Sequence, residues 1–207
     1  MLRIACHESL DVRAFVTRFP RPLAQVASEP AVLLASVGLF PPVDDAVRKA
    51  VRDALRHDGY KPTGRGKPSS EYLARTAGEA GLPAINLAVD ACNVISLVSG
   101  LPISVVDRSK LREPLQVQAA AAGSSYVFNA SGQTIDIGGL PCLHDADGPC
   151  ANPVKDAQRT KTSGETTETL SLLWGARELG TRVSDTVARY RELLEKAGAV
   201  VTIVDGA

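Results

Sequence analysis

Apolar residues along the 207-residue chain change their spacing from segment to segment, and that spacing predicts the elements. Leu2–Cys6 and Ala31–Val37 (AVLLASV) are short apolar runs that read as strands. Val43, Ala46, Val47, Ala50, Val51, Ala54 and Leu55 recur at three- and four-residue intervals, one face of a helix that starts after Pro41-Pro42. Asp44 and Asp45 suit the first turn of that helix, and Gly59 suits its C-terminal cap. Residues 59–68 (GYKPTGRGKP) form a Gly/Pro-rich loop, after which Ser69 or Ser70 caps a second helix carrying Tyr72, Leu73 and Ala77. Neither Pro nor Gly occurs from Ala84 to Ser99, which predicts a buried helix over 85–99 ending at Gly100, with Ile103–Val106 resuming as a strand. Leu115–Ala119, Ser125–Phe128, Gln133–Ile137 and Thr169–Trp174 follow as strand-like runs. Val187, Tyr190, Leu193, Leu194 and Ala197 mark a last helix stopped by Gly198, and Val200–Val204 closes as a strand. Helices, then a strand-rich middle, then helix and strand make an α+β fold rather than a regular βαβ alternation. Residues 1–40 read as an N-terminal strand-containing lobe and 41–207 as the main unit, a division that also suits one continuous domain.

Charge refines this picture. The chain has 23 Lys+Arg against 23 Asp+Glu, which argues against avid, sequence-blind binding to nucleic acid, and no DNA partner is expected. Locally the balance breaks. Arg48 to Arg75 holds eight basic residues against three acids, whereas Glu113 to Val154 has no Lys or Arg at all. A basic face able to touch a few phosphates is therefore available. No apolar run reaches membrane-spanning length, and an acid at Glu8 interrupts any signal-peptide pattern, so a cytoplasmic, membrane-free protein is expected. The four cysteines then read as reduced thiols.

Candidate chemistry concentrates in two places. On the helix over 85–99, Asn86, Asp90 and Asn93 fall at i, i+4 and i+7, one stripe on an otherwise apolar element. Buried polar groups without partners cost about 1–3 kcal/mol each, so the stripe either pins neighbouring loops or lines a polar cavity. The second place is Asn152–Thr162, dense in donors and cations (Lys155, Arg159, Lys161), which reads as a solvated loop or an anion site. Cys142, His144 and Cys150 match no zinc spacing, and no Gly-x-Ser-x-Gly elbow occurs, so neither a metal, nor a cofactor, nor a classical nucleophile is expected.

The run Gly81-Leu82-Pro83-x-Ile85-Asn86-x-x-Val89-Asp90-x-x-Asn93, continued by Gly100-x-Pro102 and Asp107-x-x-Lys110-Leu111, resembles free-standing relatives of the tRNA-editing (B3/B4) domain of the phenylalanyl-tRNA synthetase β subunit. The resemblance spans about residues 45–175. It implies an editing-domain-like core of mixed and antiparallel strands packed by helices, and it implies hydrolysis of the ester of mischarged tRNA by a protein acting in trans. By position, Cys92-Asn93 falls where the family has a Thr-Asn pair, Ser104 where it has a histidine, and Asp156 nearest to an acid of its pocket loop. The resemblance thus implies Asn93, Ser104 and Asp90 as catalytic, and Asn86, Cys92, Asn152 and Asp156 as substrate-binding. Lys155, Arg159 and Lys161 would meet the aminoacylated 3′ end, and Lys61, Arg65 and Lys67 the body of the tRNA. A non-catalytic module binding tRNA or an amino acid is the alternative. The departure at Ser104 favours that alternative and the Asn86/Asp90/Asn93 stripe favours catalysis, while oligomeric state stays open.

Overall fold

The computed structural model describes residues 2–204. Two four-stranded sheets and a hairpin carry the strands: β1 (Leu2–Ile4), β2 (Leu10–Arg18), β3 (Ile103–Asp107), β4 (Leu115–Ala119), β5 (Ser125–Val127), β6 (Thr134–Asp136), β7 (Pro141–Asp145), β8 (Gly148–Ala151), β9 (Glu168–Ala176) and β10 (Val200–Val204). One sheet runs β1-β4-β7-β8, the other β10-β2-β9-β3, and β5-β6 stands apart. All neighbours pair antiparallel except β1 and β4, which are parallel with Leu2 opposite Leu115. The fold is α+β, with mixed and antiparallel strands packed by helices.

The second sheet separates two apolar cores. Leu10, Val12, Leu170, Leu172 and Trp174 face the first sheet and helix α2 (Asp45–Leu55). Phe15 and Leu173 face α4 (Leu87–Ser99) and α5 (Arg182–Lys196), where they meet Val94, Ile95, Tyr190 and Leu194. With both sides covered, every residue of β9 after Glu168 is buried, the polar Thr169 and Ser171 included. Residues 1–40 supply β1 to one sheet and β2 to the other, so the N-terminal segment is woven into both. No helix among the described residues is long and apolar enough to cross a membrane.

Several expectations are corrected. Ala31–Val37 is not a strand: α1 (Pro30–Ser36) is a short helix against α4, with Pro30 at its first turn. Neither Ser69 nor Ser70 caps α3 (Ser69–Ala80); the capping position is Pro68, which offers no side-chain acceptor. Helix α2 ends at Leu55, with Asp44 as its N-cap accepting from the Val47 amide, and Gly59 closes a later turn rather than the helix. Gly100 does end α4, in the left-handed region at φ 73°. A Cβ there would lie 2.6 Å from Val43 Cγ1, so both conformation and packing require glycine. Strands β2, β7 and β8 are additional to the elements read from the sequence.

Candidate functional site

The loop from Asn152 to Gly164 leaves β8, crosses the end of β3 and reaches α4 before entering β9. Its first turn is made by Asn152, only 2% exposed, whose Oδ1 accepts from the Val154 and Lys155 amides at 2.7 and 2.8 Å. This is the local turn that Asn favours, with a side chain standing in for a backbone acceptor. Its amide nitrogen donates to the Tyr126 hydroxyl, which in turn donates to Lys155 O at 2.5 Å. The turn returns Asp156 under β3. There Ser104 Oγ lies 2.6 Å from Asp156 Oδ1, and the Asn152 amide donates to the same oxygen at 3.2 Å. Ser104 is fully buried and also accepts from Trp174 Nε1 at 3.0 Å. Burial pushes the Asp156 carboxyl up to about 6 against the opposing hydrogen bond from Ser104. The pattern of a carboxyl raised by desolvation and held by a hydroxyl is one that functional sites use.

Cations rim this acid. Lys161 lies close enough for Asp156 to support its charge, although burial lowers its pKa. Lys155 is also lowered by burial, then by the charge of Arg65, and its Nζ sits 3.9 Å from the centre of the Phe128 ring. Lys110 Nζ donates to Lys161 O at 2.5 Å. The Ser69 amide donates to Pro153 O at 2.9 Å, tying the Gly/Pro loop with exposed Lys61, Arg65 and Lys67 onto the same edge. Arg159 is engaged differently. Its guanidinium forks onto Asp145 at 2.7 and 2.9 Å, and the Asp145 side chain is 0% exposed, so Arg159 braces β7 and β8.

On α4 the predicted stripe divides into three roles. Asn86 is the N-cap rather than a helical residue: its Oδ1 accepts from the Val89 amide and its Nδ2 donates to Thr162 Oγ1 at 3.2 Å. Asp90, 1% exposed, accepts from the Ile85 amide through Oδ1 at 2.8 Å, while its buried Oδ2 has no partner. Asn93 is half-buried and makes no side-chain hydrogen bond among the described residues. Cys92 is buried, 3.6 Å from Ile103 O, and burial holds its thiol far above the ordinary range, which suits packing rather than chemistry. Between the start of α4, the Thr162–Gly164 loop and residues 23–28 lies a cavity of about 460 Å3 lined by Asn86, Asp90 and Thr162.

The structure thus brings Ser104, Asn152, Asp156, Lys155 and Lys161 into one cluster, and Asn86 and Asp90 into the adjacent cavity through Thr162. Lys110, already part of the Asp107-x-x-Lys110-Leu111 motif, belongs to the first cluster, as do Tyr126, Phe128 and Trp174, which sequence reasoning does not assign to a site. The one available hint is scarcity, since aromatic residues are 4% of the chain and Trp174 is its single tryptophan. Among the described residues no three His, Cys, Asp or Glu side chains group as a metal site.

Solved structures share this architecture. An N-terminal fragment of the phenylalanyl-tRNA synthetase β-subunit from Pyrococcus horikoshii superposes with a TM-score of 0.50 at 11% identity. The match covers 97% of this chain and 50% of that one, so the chain spans about half the fragment's length and shares its fold. The C-terminal domain of TILS is 20% identical over 36% of this chain and 70% of that one, with a TM-score of 0.32, too low a likeness to bear on the fold. No curated protein matches the chain. The B3/4 domain model matches residues 61–175, more than half of the sequence, and the chain belongs to the B3/4 domain family.

Proposed function

We propose that the protein hydrolyses the ester of aminoacyl-tRNA in trans, acting on a mischarged 3′ end. The observation that carries this reading is the arrangement around Asp156. A half-buried acid, Asp156, stands near a rim of cations (Lys155, Lys161, Lys110, Arg65) in a chain whose net charge is zero, and α4 offers an amide, Asn93, with no side-chain partner among the described residues. Cations gathered on one edge of a neutral protein suit a short phosphate-bearing end rather than a long duplex. Membership of the B3/4 family and the fold shared with the synthetase fragment point the same way.

In the proposed reaction a water oxygen attacks the ester carbonyl carbon. The bond from that carbon to the ribose oxygen breaks, and the water's proton passes to the leaving oxygen. An aminoacyl ester is already activated, so placing the water and stabilising the oxyanion suffice. In this reading Asn93 donates to the carbonyl oxygen and accepts from the water, Asp156 accepts from a ribose hydroxyl, and Lys155 and Lys161 meet the terminal phosphates. Asn152 and Ser104, both buried with their groups engaged, act as positioning residues for Asp156. Lys61, Arg65 and Lys67 extend the contact toward the tRNA body.

One observation favours a second reading, a non-catalytic binding module: the Ser104 hydroxyl has no exposed surface to offer an ester. Single-turnover deacylation of mischarged tRNA across a salt series separates the two. The hydrolase releases amino acid at a rate that falls with salt and collapses in Asn93→Ala. A binding module gives salt-dependent retention of charged tRNA with no release.

A further inference from the structure

The cavity at the start of α4 contains a charge without a counter-charge. Asp90 is 1% exposed and lines the cavity, its Oδ1 is used by the Ile85 amide, and its Oδ2 has no partner. No Lys, Arg or His pairs with it among the described residues. The N-terminus of α4 lies beside this carboxyl, but the end of a helix carries only about half an elementary charge, so it supplies only part of a counter-charge. A buried carboxylate oxygen left unmatched is costly, and the cost is relieved by a cation that also donates hydrogen bonds. Two further acceptors line the same space. Ser28 Oγ is buried without a partner, and Thr162 Oγ1 receives a single hydrogen bond, from Asn86. Three acceptors match the three N–H donors of a protonated primary amine. The volume, about 460 Å3, lies within the ~300–1,000 Å3 typical of small-molecule sites. Thr162 adjoins Lys161, so the cavity opens beside the cationic rim assigned to the tRNA end.

We propose that this cavity seats a protonated primary amine, and that in the deacylase reading, on which this part rests, it holds the α-ammonium of the aminoacyl group through Asp90, Ser28 and Thr162. N-acylated aminoacyl-tRNA is then excluded, because acylation removes the charge and two of the three donors and adds bulk inside the cavity. The protein acts on free-amine aminoacyl-tRNA and spares the formylated or peptidyl form.

The test uses the intact protein and non-hydrolysable probes: 3′-amino-3′-deoxyadenosine carrying amide-linked alanine, serine or tyrosine, each also prepared N-acetylated. Calorimetry is expected to show at least one free-amine probe binding about tenfold or more tightly than its N-acetyl partner, the scale of a charge-assisted contact. Asp90→Asn keeps an acceptor for the Ile85 amide and is expected to abolish that preference. Ala84→Leu, at the exposed edge of the cavity, is expected to weaken the free-amine probe without altering the melting temperature. Equal binding within every pair, absence of binding to all probes, a preference that survives Asp90→Asn, or undiminished binding in Ala84→Leu would each overturn the proposal. Deacylation measured alongside separates the two readings. An amine preference without ester release retires the hydrolase and keeps the amine seat. Equal release from free and N-acetyl aminoacyl-tRNA keeps the hydrolase and retires the seat.

Discussion

Asp156→Asn is expected to stabilise the fold while impairing its function. The substitution keeps an oxygen where Ser104 Oγ and the Asn152 amide approach Oδ1, at 2.6 and 3.2 Å, and removes the charge. In the folded chain burial raises this carboxyl from 3.8 to about 6. The native state therefore holds the proton more tightly than the unfolded chain does. Whatever stability this supplies is fully present below pH 4 and is lost as pH rises through 6. A rise of that size corresponds to about 3 kcal/mol, and partial solvent access reduces the expected gain at pH 8 to about 1–2 kcal/mol. For a chain of this length that is about 2–8 °C in Tm. Urea unfolding of both proteins from pH 3.5 to 8 measures it, and the stability difference should open between pH 4 and 6. A difference independent of pH, or a variant no more stable than the wild type at pH 8, would refute the argument.

Three other substitutions separate framework from contact. Arg159→Ala leaves the buried Asp145 carboxylate with only the Arg112 and Asp147 amides and should cost about 1–3 kcal/mol in unfolding experiments, an effect Lys61→Ala should lack entirely. Joint replacement of Lys61, Arg65 and Lys67 by Ala should leave Tm unchanged and lower the salt slope of tRNA binding by about one per lost phosphate contact; an unchanged slope removes the Gly/Pro loop from the interface. Ser104→Ala strands the Trp174 indole N–H and frees Asp156, and should cost about 1–3 kcal/mol by thermal denaturation.

Elements whose periodicity answers to a single buried face were legible. The α2 positions Val47, Ala50, Val51, Ala54 and Leu55 are all buried, and Leu115–Ala119 alternates as a half-covered strand should. AVLLASV was not legible as a helix, because a seven-residue apolar run carries no period and α1 buries none of its residues. Pro30 at its start was the better clue. The alternation Leu10-Asp11-Val12-Arg13-Ala14 in β2 was present but unread, as was the Ala146-Asp147 turn that joins β7 to β8. At the candidate site the residue types were readable and their partners were not. Nothing in the sequence says that Arg159 faces Asp145 or that Trp174 reaches Ser104, since those pairs span 14 and 70 residues. Asn86 shows the same limit within one helix, where a shift of the start to Leu87 turns a wall residue into a cap.

Hydrolysis in trans is decided by incubating the purified protein with a panel of correctly and wrongly charged tRNAs and following release of the amino acid. A trans-acting hydrolase gives rapid release from one class of mischarged tRNA, little from its correctly charged counterpart, and loss of release in Asn93→Ala with the fold intact. Release from none of the panel while charged tRNA is still bound would contradict it.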